Sequence, residues 1–322
     1  MKLSLVLVLA LFSSNAFAIF NDGYPQDSAR ATEEWVQDLV ATGLADYTDY
    51  QIGNEWGKKP VTRDSLRGRT EAFSRAALAT ARYGGATAFY LGKINGHHMM
   101  ATNHHVMPNA GICNTRSAIF PLLGKSYHCE KFYGDWTAID LAFFSITVPA
   151  GEDEALLGKV GRNFNFQSSL YPGEELLTIG FGVFRNSGRT LMANEDTDCK
   201  VFSEKNDSRF IADPDGINPA DYKAWSFSTG CDVSHGDSGS AIVDRVTGDV
   251  VGIIWTTATQ KPERIRSSSY LDEILKTQHA DIWSWLSYAV PAAKMKDVLA
   301  DLLSKGTFAD PDVAQTIEAI IR

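Results

Sequence analysis

Three short stretches of this sequence carry side chains that could work together as a nucleophile, a base and an orienting acid. They are "ATNHHV" with His104 and His105, "AIDLAFF" with Asp140, and "GDSGS" with Ser238. A serine hydroxyl is a poor nucleophile at its own pKa, so it needs a base within hydrogen-bond reach and a third group holding that base. Taken singly, each stretch has a plainer explanation. A histidine at a strand end is often structural, an aspartate before an apolar strand is often a turn residue, and a serine between glycines is often a surface turn. The order His…Asp…Ser in one β-rich chain with four cysteines is harder to produce by accident. Adjacent residues of an extended chain point to opposite sides, so only one of His104 and His105 can face a common cleft. His97 and His98 lie at a hairpin turn and are expected to be exposed. "GHH" and "NHH" together suggest zinc, but no strong third ligand type stands with them. No metal or organic cofactor is expected.

The elements that must position these residues are short strands. From about residue 79 onward, apolar or alternating runs are divided by turn residues. "ATAFYLGKINGHHMMATNHHV" reads as two strands around Asn95-Gly96, a strong hairpin signal. "AIDLAFFSITV", "ELLTIGFGVF" and "KAWSFSTG" follow, then the hairpin "SAIVDRVTGDVVGIIWTT" with Thr247-Gly248-Asp249 at its turn. Many short strands without alternating helices indicate an all-β barrel or sandwich. The end is helical: Met295, Val298, Leu299, Leu302 and Leu303 form one apolar stripe stopped by Gly306, and Asp310-Pro311 opens a last helix as cap and first residue.

The chain begins with "MKLSLVLVLALFSSNAFA", which reads as a signal peptide over residues 1–18, cleaved after Ala18. Its apolar run is short for a membrane-spanning helix, and no later segment has a long uncharged apolar run, so a soluble, secreted or periplasmic protein is expected. The formal net charge of -9 counts against nucleic acid or an anionic membrane as the main partner. In an oxidising compartment, Cys113, Cys129, Cys199 and Cys231 suggest two disulfides, with three pairings available. Cys113–Cys129 with Cys199–Cys231 keeps each bridge within one half of the chain; the first closure is worth about 3 kcal/mol in the chain-entropy picture. Residues 19–78 stand apart. Trp35, Leu39, Val40 and Leu44 have helical spacing, and the polar, basic stretch "GKKPVTRDSLRGRTEAFSR" reads as loop or linker. This segment is either a helical extension on the main domain or a removable prosegment.

On the residues Thr102-Asn103-His104-His105-Val106, Asp140-Leu141-Ala142 and Gly236-Asp237-Ser238-Gly239, the sequence resembles a trypsin-like serine endopeptidase of the chymotrypsin fold, bacterial type. "YAVPAAKMKDVL" is similar to the last strand and following helix of such proteins, and the likeness spans about residues 79–305. It implies a double six-stranded β-barrel with halves at residues 79–165 and 166–290, the extension at 19–78 before them and helices at 291–322 after them. It implies that His105 is the general base, Asp140 its orienter and Ser238 the nucleophile of an acyl-enzyme mechanism. The backbone N–H groups of Gly236 and Ser238 would then receive the oxyanion. The partners implied are protein or peptide substrates, with a protein inhibitor or an activating protease as further candidates.

The resemblance also implies a substrate pocket built from Asp232, His235, Trp255 and Thr256. Asp232, six residues before Ser238, suggests cleavage after basic residues, while His235 would suit an acidic side chain. The wall Ile254-Trp255-Thr256 departs from the family's usual Ser-Trp-Gly: Thr256 would narrow a deep pocket, and Ile254 lacks a hydroxyl that supports the triad aspartate. In trypsin-type zymogens the carboxylate before the nucleophile pairs with a new N-terminal amine after processing. No Ile-Val-Gly-Gly start follows any arginine here, so Asp237 either has another partner or the chain is cut elsewhere, with Arg63, Arg67 and Arg69 as the candidate place. Two alternatives of other classes stand beside an enzyme of this kind. One is a catalytically silent relative that binds peptides or proteins in the same cleft. The other is a Gly-Asp-Ser esterase, which would carry its serine near the N-terminus and a late Asp-x-x-His that is missing after Ser238.

Overall fold

The computed structural model describes residues 47–182, 190–216, 218 and 221–322. The expected signal peptide and the helix-spaced residues Trp35, Leu39, Val40 and Leu44 lie outside them. The strands are β1 (Lys58–Pro60), β2 (Thr80–Tyr83), β3 (Ala86–Ile94), β4 (His97–Thr102), β5 (Ser117–Phe120), β6 (Lys125–Trp136), β7 (Leu141–Ile146), β8 (Leu176–Gly180), β9 (Met192–Asn194), β10 (Arg209–Ala212), β11 (Lys223–Thr229), β12 (Ala241–Asp244), β13 (Val250–Thr257) and β14 (Ser287–Pro291). The first half closes as a six-stranded barrel in the order β2-β3-β4-β7-β6-β5. The second half is one eight-stranded sheet, β1-β9-β8-β12-β13-β14-β11-β10. Its six central strands are β9, β8, β12, β13, β14 and β11, extended at the two edges by β1 and by β10.

Local chemistry accounts for the joints. Asn95 and Gly96 both have positive φ, 50° and 88°, which is what a two-residue hairpin turn between β3 and β4 requires. β4, β7 and the middle of β3 are buried on both faces, and their alternate residues serve two cores. Ala88, Tyr90, Met100, Ala142 and Phe144 fill the barrel. Phe89, Leu91, Met99, Leu141 and Phe143 point the other way and join Leu177, Ile179, Val243, Ile253 and Val290 of the second sheet. Met295, Leu299, Ile317 and Ile321 from the helices Ala292–Ser304 and Pro311–Ile321 complete that shared core. The expected stop and start are in place: Gly306 has φ +63°, and Asp310 accepts from the Asp312 amide at 2.9 Å. The disulfides are Cys113–Cys129 and Cys199–Cys231.

The basic stretch expected to be loop is ordered structure. Lys58, Lys59 and Pro60 pair with Asn194, Ala193 and Met192 as an edge strand, a position that tolerates a proline because one N–H row is free of partners. Thr70 caps the helix Glu71–Ala79 by accepting from the Phe73 amide at 3.2 Å, and Phe73, Ala76 and Ala77 bury its inner face. Polar composition hid both elements, since each buries only one side.

Candidate active site

His105 and Asp140 are brought together by a single strand pairing. β4 lies antiparallel to β7 with Thr102 opposite Ala142, so the turn after β4 meets the residue just before β7. His105 donates from Nδ1 to Asp140 Oδ2 at 2.8 Å and from its backbone N to Oδ1 at 3.1 Å. Asn103 fixes the same corner by donating to the Asp140 carbonyl at 2.8 Å. Asp140 is fully buried and sits at φ +35°, a left-handed conformation that few residues other than glycine adopt without cost. Tyr222 donates its hydroxyl to Asp140 Oδ1, so both carboxylate oxygens are engaged. Burial alone would lower the His105 pKa, but the charge and hydrogen bond of Asp140, with the charge of Asp213, raise it overall. Burial likewise opposes the Asp140 carboxylate, and the His105 charge together with hydrogen bonds from His105 and Tyr222 hold its pKa below the ordinary range. His104 turns away: its Nδ1 donates to Asp135 and its ring stacks on Tyr222 at 5.7 Å. His97 is half-buried, and His98 is buried with its ring Nδ1 2.8 Å from the Tyr90 hydroxyl, so His98 is not the exposed turn residue its position suggested.

Ser238 lies half-buried in the loop before β12. Gly236 and Gly239 have φ +96° and +85°, and a Cβ at either would strike the carbonyl oxygen of Phe181 or Thr87. Within this loop the Asp237 amide donates to Ser234 O at 3.0 Å, Gly239 N to Ile254 O at 3.0 Å and Ser240 N to Asp237 O at 2.8 Å. The amides of Gly236 and Ser238 donate to no group among the described residues. Thr87, at the start of β3, ties the loop to the first barrel. Its amide donates to Ser238 O at 2.9 Å and its hydroxyl to Gly236 O at 2.7 Å, while its carbonyl accepts from Thr102 Oγ1 at 2.7 Å. A short chain of hydrogen bonds therefore runs from the Ser238 backbone to Thr102, three residues before His105. Asp237, between the two unpaired amides, is buried. It accepts from Gly182 N at 3.0 Å and Ser234 N at 2.9 Å, and forms an ion pair with Lys58 of β1.

The residues read as a substrate pocket have separate fates. Asp232 is fully buried and accepts from the amides of Ile52 at 2.7 Å and Gly57 at 2.6 Å. Its oxygens hold the N-terminal segment, and burial drives its pKa well above the carboxylate range, with the Asp196 charge adding to the rise. His235 is half-buried, 3.7 Å from Asp215 and edge-on to Tyr50 at 6.0 Å. Trp255 is buried and donates from Nε1 to Ser226 Oγ at 2.8 Å, and Thr256 donates to Asp213. Behind them Lys261 is buried among the Thr257 hydroxyl and the Ala258 and Trp285 carbonyls at 2.6–3.0 Å. Desolvation pushes its amine down to about 7. Among the described residues, no three His, Cys, Asp or Glu side chains converge as a metal site.

Sequence reasoning missed Tyr222, Thr87 and Lys58. Tyr222 stands in a polar loop 82 residues from Asp140, and Thr87 opens an ordinary strand. Lys58 had a usable signal: an unexplained Asp237 needs a cation, and "GKKP" offers two.

The structure resembles Rv3671c from M. tuberculosis H37Rv, a serine-to-alanine mutant in an inactive form, at 14% identity over 80% of this chain and 98% of that one, with a TM-score of 0.49. It also resembles the HtrA-type protease AlgW with a decapeptide, at 15% identity over 73% of this chain and 67% of that one, with a TM-score of 0.47. No curated protein matches the chain. The family model of the trypsin-like peptidase domain matches residues 86–253, more than half of the 322 residues, from β3 through the Ser238 loop into β13. The chain belongs to the trypsin-like peptidase domain family.

Proposed function

We propose that this protein is a serine endopeptidase that cleaves peptide bonds through an acyl-enzyme on Ser238. The observation that carries the reading is that His105 is oriented by Asp140 while the Gly236 and Ser238 amides donate to no group among the described residues. With Nδ1–H held by Asp140, the free lone pair of His105 is on Nε2, where a base is needed. In the reaction, Ser238 Oγ attacks the carbonyl carbon of the scissile bond and His105 Nε2 takes the hydroxyl proton. The carbonyl π electrons move to oxygen, which accepts from Gly236 N and Ser238 N. Collapse breaks the C–N bond as His105 returns the proton to the leaving amine. Water then repeats the sequence on the ester, freeing the acid and Ser238. Asp140 stabilises the imidazolium throughout and stays ionised.

A preference for basic side chains belongs to the same proposal. Its carboxylate is Asp215, beside His235, because Asp232 is fully buried and accepts from two backbone amides, and Asp213 accepts from the amides of Asp215 and Asn218. Two disulfides fit an oxidising compartment, so export is part of the proposal. The test is labelling of residues 19–322 with a fluorophosphonate probe, next to Ser238→Ala. Labelling that disappears in the variant supports the reading. Absence of labelling in every form leaves a peptide-binding relative. Cleavage profiling of Asp215→Asn should show a reduced share of Arg and Lys sites, and an unchanged profile removes the basic preference.

A further inference from the structure

Lys58 and Lys59 are adjacent, yet the pleat of β1 sends them to opposite sides: Lys59 is exposed, and the Lys58 side chain is 2% exposed. A lysine ammonium this deeply buried persists only beside a compensating charge, and the charge it meets is Asp237. Gly182 closes over the pair. A Cβ there would collide with Lys58 Nζ, Asp237 Oδ2 and Ser234 Oγ together. Asp237 is the residue between Gly236 and Ser238, whose amides are the unpaired donors of the site. Its Oδ1 accepts from Gly182 and its Oδ2 from Ser234, so the carboxylate is pinned on both oxygens and the flanking peptide planes follow it. Without a cation, a carboxylate 1% exposed would be driven to leave the core for water, rotating those planes.

We infer that Lys58 is a positioning residue for the oxyanion donors: its ammonium, carried by the N-terminal segment, holds Asp237 inward and makes the uncut chain the competent form. This rests on the peptidase reading and reverses the expectation that cleavage near Arg63–Arg69 activates the protein. Arg67 is 86% exposed and lies nine residues after Lys58 on a stretch that links β1 to the helix Glu71–Ala79. A cut there severs β1 from the barrel and frees Lys58 to depart, which makes the stretch an off-switch. Noncovalent contacts then hold the strand: the Lys58–Asp237 pair, the pairing of β1 with β9, and upstream the Asp232 bonds, the Gly53 amide on Ile265 O and the two hydrogen bonds between Asn54 and Ser268.

The experiment uses uncut protein of residues 19–322, with peptide turnover and fluorophosphonate labelling measured for the native chain, Lys58→Met, Lys58→Ala and Lys59→Met, each checked for folding by circular dichroism. Lys58→Met is expected to lose about 100-fold or more in kcat, the usual consequence of a misplaced oxyanion donor, with KM changed only a few-fold. Lys59→Met is expected to match the native chain. Added propylammonium is expected to restore part of kcat in Lys58→Ala, a rescue that a merely structural lysine would not give. Should Lys58→Met fail to fold, Lys58→Gln combined with Asp237→Asn removes both charges together and is still expected to lose at least tenfold in kcat. A folded Lys58 variant with native kcat overturns the inference and leaves the peptidase reading standing. So does an uncut native chain that stays unlabelled until it is cut near Arg67. If neither uncut nor cut chain is labelled, both fall.

Discussion

In the closed barrel, His105 and Asp140 are set by one strand pairing, β4 on β7, whereas the Ser238 loop takes its support from three separate parts of the chain. Thr87 comes from the first barrel, Lys58 from the N-terminal segment, and Gly182 follows β8 of its own sheet. His105 and Asp140 stand 35 positions apart and are joined directly by a hydrogen bond. The Ser238 loop bonds to Lys58 across 179 positions and to Thr87 across 149. A site split this way ties the His105–Asp140 pair to the second half through the Tyr222 hydroxyl, and leaves the Gly236 and Ser238 amides conditional on several parts of the chain being in place.

The comparison is broken most severely by Asp140→Asn. The amide cannot stabilise the imidazolium and presents a donor where His105 needs an acceptor, so kcat is expected to fall about 10⁴-fold while fluorophosphonate labelling becomes very slow. Thr87→Val should act on the other half. It keeps the shape but removes the hydroxyl that donates to Gly236 O and accepts from Phe181 N. Unfolding in urea should show a loss of about 1–3 kcal/mol, with kcat down about tenfold or more from displaced donors. Tyr222→Phe deletes one hydrogen bond to the Asp140 carboxylate but leaves both His105 contacts, so a fall of about tenfold in kcat is expected. A larger loss would mean that Tyr222 shapes the cleft as well.

The smallest effect is in the pH profile. His105 must be neutral to accept a proton, and Asp140 raises its pKa. The acid limb of kcat/KM should therefore have its midpoint above the ordinary histidine value of about 6.5, with activity growing as pH rises through it. In Asp140→Asn that limb should move to lower pH. The linked stability has the opposite sense: a raised histidine pKa contributes stability that is complete below about pH 6.5 and is lost as pH rises through the folded value. An acid limb at or below the ordinary value would show that the Asp140 charge does not outweigh burial.

Strand-rich architecture, the Asn95-Gly96 hairpin, the C-terminal stripe with its Gly306 stop and Asp310 cap, and the halves to which the cysteines belong were all legible in the sequence. These features depend on neighbours a few residues apart or on a simple alternation of faces. The His105 and Asp140 motifs were legible for another reason, the resemblance carried by Thr102–Val106 and Asp140–Ala142, since alternation alone left His104 and His105 as rivals. The edge strand β1 and the helix Glu71–Ala79 were not, because "GKKPVTRDSLRGRTEAFSR" is polar overall and its few buried positions look like exceptions until a partner surface is present.

Composition and order along the chain thus determined that a serine, a histidine and an aspartate would sit on a β framework. Tertiary structure alone decided which groups surround them. Asp232 became an anchor for Ile52 and Gly57, Tyr222 supplied the hydroxyl that Ile254 lacks, and one of two neighbouring lysines became the counter-ion of Asp237. The physical reason is burial. A carboxylate removed from water must find donors or a cation wherever the fold brings them, and that search crosses sequence distances over which spacing carries no signal.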